Sequence, residues 1–271
     1  MNWQGHVCIV TGAGAGIGQG IAEVFAEAGC QVVIGEVNLE RGKAVEKDLQ
    51  ERFGRGLFVQ TDVSKDADCK RLVEETMQAY DRVDTLVNNA GVNFVKPTLE
   101  MTQEDWDRVV NVDLRGTFLC SRYALEHMVK ARRGSIINIA SVHTKATLGG
   151  AAPYAASKGG VAQLTASLAI EFAPYGVRIN ALSPGLIDTL IWQQIQEAAG
   201  DREGVRQHWF DNIPLERVGT PREMGLVALF LASDDASYVT GANILADGGM
   251  TALLINKERY TSHSLEGKYE S

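Results

Sequence analysis

The chain has 271 residues, 45% of them hydrophobic, and a formal net charge of −8. That content supports a sizeable core and excludes wholesale disorder, and the acidic balance argues against nucleic acid or an anionic membrane surface as the main partner. Glycine accounts for 28 residues, above the usual ~7%, without the G-X-Y period of collagen.

Residues 6–10 read as a strand and 17–28 as a helix. Between them lies Thr11-Gly12-Ala13-Gly14-Ala15-Gly16-Ile17-Gly18. Glycines at such a turn let the backbone approach a pyrophosphate, and the following helix N-terminus offers free N–H groups and a positive dipole end. The spacing is G-x-x-x-G-x-G, over Gly12, Gly16 and Gly18. Residues 31–35 form the next predicted strand, ending at Gly35-Glu36. An acid there suits the adenosine ribose hydroxyls and repels a 2′-phosphate. The nearest basic residue is Arg41 and the glycine loop holds none, so NAD is expected over NADP. The competing reading leaves Glu36 in solvent and turns Arg41 toward a phosphate.

The pattern continues with a helix over 39–53, a strand over 56–60, a helix over 65–80 and a strand over 84–88. A long helical region covers 102 to about 130, then a strand 135–140, a helix 153–175 and a strand 178–182. A helix over 221–232 and a short strand over 243–246 complete it. The strands are rich in Val, Ile and Leu without alternation, as expected when both faces are buried. Repeated βα units predict one doubly wound, Rossmann-type α/β domain with a parallel seven-stranded sheet over residues 1–250. Residues 186–220 interrupt the rhythm and are too long for an ordinary connection, so a lid or substrate loop is expected there. Residues 251–271 form a polar tail that is either frayed or reaches a neighbouring subunit.

Residues 1–40 contain no Lys or Arg, which argues against a secretory or transit signal. Apolar stretches such as 226–232 are too short to span a bilayer. Cys8, Cys30, Cys69 and Cys120 are scattered and form no metal or disulfide pattern. A cytoplasmic protein with reduced thiols and no metal is the expectation.

Tyr154 and Lys158 are four apart, on one face of the predicted 153–175 helix. A tyrosine titrates near 10, and lowering that by roughly 3 units takes about 4 kcal/mol. A cation about 5 Å away supplies on the order of 3 kcal/mol at an effective dielectric near 20. Lys158, with an oxidised nicotinamide ring, could therefore make Tyr154 a usable base. Ser141 closes the 135–140 strand, and Asn88-Asn89-Ala90-Gly91 closes another. Residues at such strand ends face the ligand crevice. Asn111 sits inside a helical region, where an Asn usually has a hydrogen-bonding task.

These segments together resemble the short-chain dehydrogenase/reductase family. The matching motifs are Thr11–Gly18, Asp62-Val63, Asn88–Gly91, Asn111, Ser141 with Tyr154 and Lys158, and Pro184-Gly185. The resemblance runs from about His6 to Gly249. It implies a tetrad of Asn111, Ser141, Tyr154 and Lys158. Tyr154 would exchange a proton with the substrate oxygen, and Ser141 would stabilise the charge developing on it. Lys158 would lower the Tyr pKa and bind the nicotinamide ribose, while Asn111 would hold a relay water through its backbone. Further cofactor contacts are implied at Asp62, Val63, Asn89, Ala90, Gly91, Pro184, Gly185, Ile187 and Thr189. The hydride would move to or from the nicotinamide, so no metal is needed.

His143, Trp192 and Trp209 are candidate substrate contacts, with Lys145 beside them. Ser141-Val142-His143 is similar to a stretch of some sugar dehydrogenases of the family. The first expectation is NAD-linked oxidation of a secondary alcohol of the sugar or polyol kind. The second is a ketone or 3-oxoacyl-thioester reductase, although those members usually favour NADP. A non-catalytic NAD-binding scaffold is the third, weakened by the intact tetrad. The resemblance also implies a homotetramer or dimer, with the 102–130 and 153–175 helices forming one interface.

Overall fold

The computed structural model describes residues 3–198 and 200–254. Seven short strands form its centre: β1 Val7–Thr11, β2 Gln31–Glu36, β3 Leu57–Gln60, β4 Thr85–Asn88, β5 Gly134–Ile139, β6 Val177–Pro184 and β7 Asn243–Ala246. All pair in parallel, in the order β3-β2-β1-β4-β5-β6-β7. Parallel pairing requires a crossover after each strand, and the helices supply it. They are α1 Gly16–Ala28, α2 Leu39–Phe53, α3 Asp66–Tyr80, α4 Gln103–Val110, α5 Gly116–Ala131, α6 Ala152–Phe172, α7 Leu190–Ala198, α8 Arg202–Phe210 and α9 Pro221–Ala232.

Successive strand residues point to opposite faces, which divides the core in two. Cys8, Val10 and Ile34 pack with Phe25, Leu49 and Leu231 from α1, α2 and α9. Ile9, Val33 and Leu86 pack with Leu72, Met128 and Leu168 from α3, α5 and α6. Both faces are covered, so the strands are apolar without alternation, as the sequence suggested. The result is one doubly wound α/β domain, a Rossmann fold. The chain reverses its direction of strand addition between β1 and β4. In such sheets the ligand crevice opens at that point, beyond the strands' carboxyl ends. Among the described residues no helix is long and apolar enough to cross a membrane.

Two departures from the predicted elements matter for the site. The helical region over 102–130 is not continuous: a five-residue π-turn, Asn111–Arg115, separates α4 from α5. A π-turn widens the helix by one residue and is frequent at functional sites. Here it carries Asp113 inward, where Val92 N donates to its Oδ1 at 2.8 Å. The 186–220 segment is likewise not an unstructured loop, since it carries α7 and α8. Its two ends are tied by Asp188 N to Gly219 O at 2.8 Å and Gly219 N to Leu186 O at 2.9 Å. The excursion is therefore pinned at its root, and Trp192 from α7 and Trp209 from α8 line the cleft.

Candidate active site

The glycine loop begins where β1 ends. Gly12 and Gly16 adopt φ of +64° and +57°, the left-handed region that glycine tolerates. A Cβ on Gly18 would lie 2.3 Å from Gly12 O and 2.4 Å from Asn89 Nδ2, so that position admits no side chain. Asn89 fixes this turn from β4: its Nδ2 donates to Thr11 O at 3.0 Å and Gly12 O at 3.1 Å. Thr11 Oγ1 in turn accepts from the N–H groups of Asn89 and Ala90. Helix α1 has no side-chain cap and no acid in its first turn. Its N-terminal N–H groups thus lack a local competitor for a phosphate. A dinucleotide pyrophosphate fits this cradle.

Glu36 leans back to the same loop. Its Oε2 accepts from Gly14 N and its Oε1 from Asn38 N, both at 3.0 Å. The carboxylate is fixed beside the loop, half-buried rather than free in solvent. Arg41 lines the cleft next to Ala15 and Gly16, a placement the sequence reading held only as a competing possibility. Asp62 and Val63 follow β3. Asp62 Oδ1 accepts from Ser64 N and Oγ, and Lys65 Nζ is 3.3 Å from its Oδ2. Neither Asp62 nor Val63 lines the hollows described next.

Two adjoining hollows occupy the crevice and share Ile17, Asn93, Ser141, Tyr154, Gly185 and Thr189. The first continues over the glycine loop and reaches Asn89, Gly91, Lys158 and Pro184. Lys158 is buried on α6 and donates from Nζ to Ile139 O at 3.0 Å. Its Nζ lies 5.6 Å from the centre of the Tyr154 ring, so the two residues meet as their spacing predicts. Burial pulls the Lys158 ammonium down, but Asp113 and Tyr154 outweigh it and hold the group above its ordinary value. Asn111 stands on the π-turn, half-buried and off the lining of both hollows. Its carbonyl accepts from Gly116 N.

The second hollow, about 340 Å³, lies under α7 and α8. Ile187, Trp192 and Trp209 form part of its wall, with Val95, Val142, Leu148, Leu186 and Met250. Among the described residues no Asp, Glu, Lys or Arg side chain lines it. His143 does line it, and its ring stands edge-on to Tyr154 with centroids 5.0 Å apart. His143 Nδ1 is 2.8 Å from Thr147 Oγ1, and its backbone N donates to Ser141 Oγ. Burial lowers the His143 pKa below the ordinary imidazole value, which favours its neutral form. Lys145 is exposed and lies outside the wall.

The sequence reading missed Asp113, Asn93, Val95, Leu148 and Met250. An acid two residues beyond Asn111 inside an apolar helical stretch was the available signal for Asp113. The other four belong to loops whose convergence depends on the fold. Among the described residues no cluster of His, Cys, Asp or Glu could hold a metal.

A Rossmann sheet, a phosphate cradle and a Ser-Tyr-Lys cluster at the crevice define a dinucleotide-dependent oxidoreductase. Similarity to known proteins agrees. The family profile described as "Enoyl-(Acyl carrier protein) reductase" matches residues 12–251. An uncharacterized oxidoreductase of Thermotoga maritima is 42% identical, over 94% of this chain and 99% of that protein. The 3-oxoacyl-[acyl-carrier-protein] reductase FabG of the same organism is 39% identical, over 92% and 99%. The solved structure of levodione reductase superposes with a TM-score of 0.87 at 33% identity, covering 92% of this chain and 99% of that one. The chain belongs to the short-chain dehydrogenase/reductase family. It is an NAD(P)-linked enzyme acting on CH–OH and keto groups.

Proposed function

We propose that the protein interconverts an apolar ketone, of the 3-oxoacyl-thioester class, and its secondary alcohol, with NAD(H) as the preferred cofactor. The lining of the second hollow carries this reading. Its wall among the described residues is mostly apolar, with Asn93, Ser141, His143, Thr147, Tyr154, Thr189 and Thr251 as its polar members, and Val95 and Leu148 stand 61% and 54% exposed at its rim. Exposed apolar side chains around a concave site mark a surface awaiting an apolar ligand. A sugar or polyol would set part of its hydroxyls against Val95, Val142, Leu148, Leu186 and Met250, whose side chains offer no hydrogen bond, which is costly. The 3-oxoacyl reductases among the relatives support the same class.

Bound NAD(H) supplies the hydride chemistry at its nicotinamide ring. The chain's own residues handle the oxygen. Tyr154 donates its hydroxyl proton to the carbonyl oxygen in reduction and takes it back in oxidation. Ser141 donates a hydrogen bond to the same oxygen as charge develops there. Lys158 holds a positive charge beside Tyr154. Asn111, on the π-turn, would hold the solvent-side end of the proton route. Trp192 and Trp209 screen the hollow from water. Glu36 favours NAD because its fixed carboxylate would face the 2′-phosphate of NADP. Phe118 and Ile170, exposed on α5 and α6, support self-association through that face as part of this proposal.

The test is a two-by-two comparison: an apolar 3-oxoacyl thioester analogue and a ketosugar, each with NADH and with NADPH. NADH with the apolar ketone should exceed each other pairing in kcat/KM by at least about tenfold, or 1.4 kcal/mol in transition-state binding. A ketosugar preference would overturn the substrate reading, and an NADPH preference the reading of Glu36.

A further inference from the structure

Two polar side chains beside the turn that carries Ser141, Thr144 and Asn243, take no part in the chemistry itself. Neither lines either hollow, so neither is placed to touch a substrate or cofactor seated there. Both are tied to Ser141 instead. The ladder between β5 and β6 reaches as far as Ala140, whose N donates to Leu182 O at 2.8 Å. Ser141 then opens a single 3₁₀ turn, Val142–Thr144. Such a turn is short and its hydrogen-bond geometry is poorer than that of an α-helix, so it holds itself in place weakly.

A strut from the sheet braces it. Ser183, fully buried on β6, donates from Oγ to Asn243 Oδ1 at 2.6 Å. Asn243 stands opposite Ala181 in the β6–β7 register, so it shares a sheet face with Ser183. Its Nδ2 donates to Thr144 Oγ1 at 3.1 Å. Thr144 Oγ1 donates in turn to Ser141 O at 2.9 Å, and Thr144 N donates to the same oxygen at 3.0 Å. Each group along this chain donates to the next, an order in which successive hydrogen bonds polarise and strengthen one another.

We infer that Asn243 and Thr144 are positioning residues that aim the Ser141 hydroxyl at the substrate oxygen. The inference rests on the reading of Ser141 as the donor to that oxygen. A serine hydroxyl has one proton and two acceptor positions. His143 N donates to Ser141 Oγ at 3.3 Å and occupies one of the acceptor positions. The hydroxyl proton is thereby kept off the His143 side and left for the hollow that Ser141 lines. His143 N and Ser141 O belong to the same braced turn, so a tilt of the turn misdirects the hydroxyl. Stabilisation of a developing charge depends on donors fixed in advance, and small misplacements are costly.

The test is a double-variant cycle on the single-turnover rate of ketone reduction, with saturating NADH and an apolar 3-oxoacyl thioester analogue. Thr144→Val keeps the shape of the side chain and removes its hydroxyl. It should slow the step about tenfold, with KM and the NADH Kd changed by less than about threefold. Ser141→Ala should cost 10²- to 10³-fold, the usual weight of an oxyanion donor. In the Ser141→Ala background, Thr144→Val should cost less than about twofold, because the hydroxyl it positions is gone. Asn243→Val should repeat the Thr144→Val pattern, and Thr144→Ser should return the rate to within about threefold of wild type. An equal loss with and without Ser141, or a wild-type rate in Thr144→Val, would overturn the inference while leaving the role of Ser141 standing. A wild-type rate in Ser141→Ala would remove both. If Thr144→Val fails to accumulate as folded protein, Asn243→Val is taken through the same cycle and decides by the same criteria.

Discussion

Replacing Tyr154 by Phe is expected to lower kcat for ketone reduction by 10²- to 10⁴-fold, the usual weight of general acid–base catalysis. The substitution removes one hydroxyl and keeps the ring. That ring remains against His143 and near Lys158, whose contacts do not require the oxygen. Stability should therefore stay within about 0.5 kcal/mol of wild type, as for most partly exposed positions. NADH should still bind, its Kd changing by less than about tenfold, or 1.4 kcal/mol. Steady-state rates, a thermal melt and an NADH fluorescence titration measure the three quantities. A variant retaining more than a tenth of the rate would show that another group moves the proton.

Gly18→Ala should fail at an earlier step. The added Cβ would meet Gly12 O at 2.3 Å, and Gly12 is itself fixed by Asn89 Nδ2 and by a backbone bond to Gly35 O. The obstruction is backbone, so no side-chain rotation relieves it. Either α1 withdraws from the loop or the Asn89 latch opens, and both spoil the phosphate cradle. Overpacking of this kind costs about 1–3 kcal/mol of stability. NADH affinity should fall by about a hundredfold or more, equivalent to 2.8 kcal/mol. Gly149→Ala is the control, because a Cβ there meets nothing within 4 Å. Equal NADH affinity in the two variants would contradict the tight-approach argument. Calorimetric titration with NADH separates the outcomes.

Much of this architecture is visible in the residues. Strands such as β1, with all five residues buried, announce themselves as unbroken apolar runs. The glycine loop is legible because its spacing reflects a steric requirement. Tyr154 and Lys158 are legible because a helix places residues four apart on one face. The π-turn is not, since one extra residue in the long helical pattern over 102–130 leaves the apolar period nearly unchanged. Asp113 was hidden for a related reason: a charged residue in a helix ordinarily reads as its solvated face. The second hollow was hidden because Val95, Leu148 and Met250 are distant in sequence. Its apolar wall is what moves the balance from a sugar or polyol toward an apolar ketone. The tail from residue 255 onward lies outside the described residues.

The central claim is direct hydride transfer to an apolar ketone seated between Tyr154 and the α7–α8 excursion. The most direct measurement uses NADH bearing deuterium on the transferring face of C4, with an apolar 3-oxoacyl thioester analogue as substrate and mass spectrometry of the product. One deuterium on the new carbinol carbon is the predicted result. An unlabelled alcohol formed from NADH shown to carry the label on the transferring face, or no alcohol at all from the wild-type protein, would contradict it.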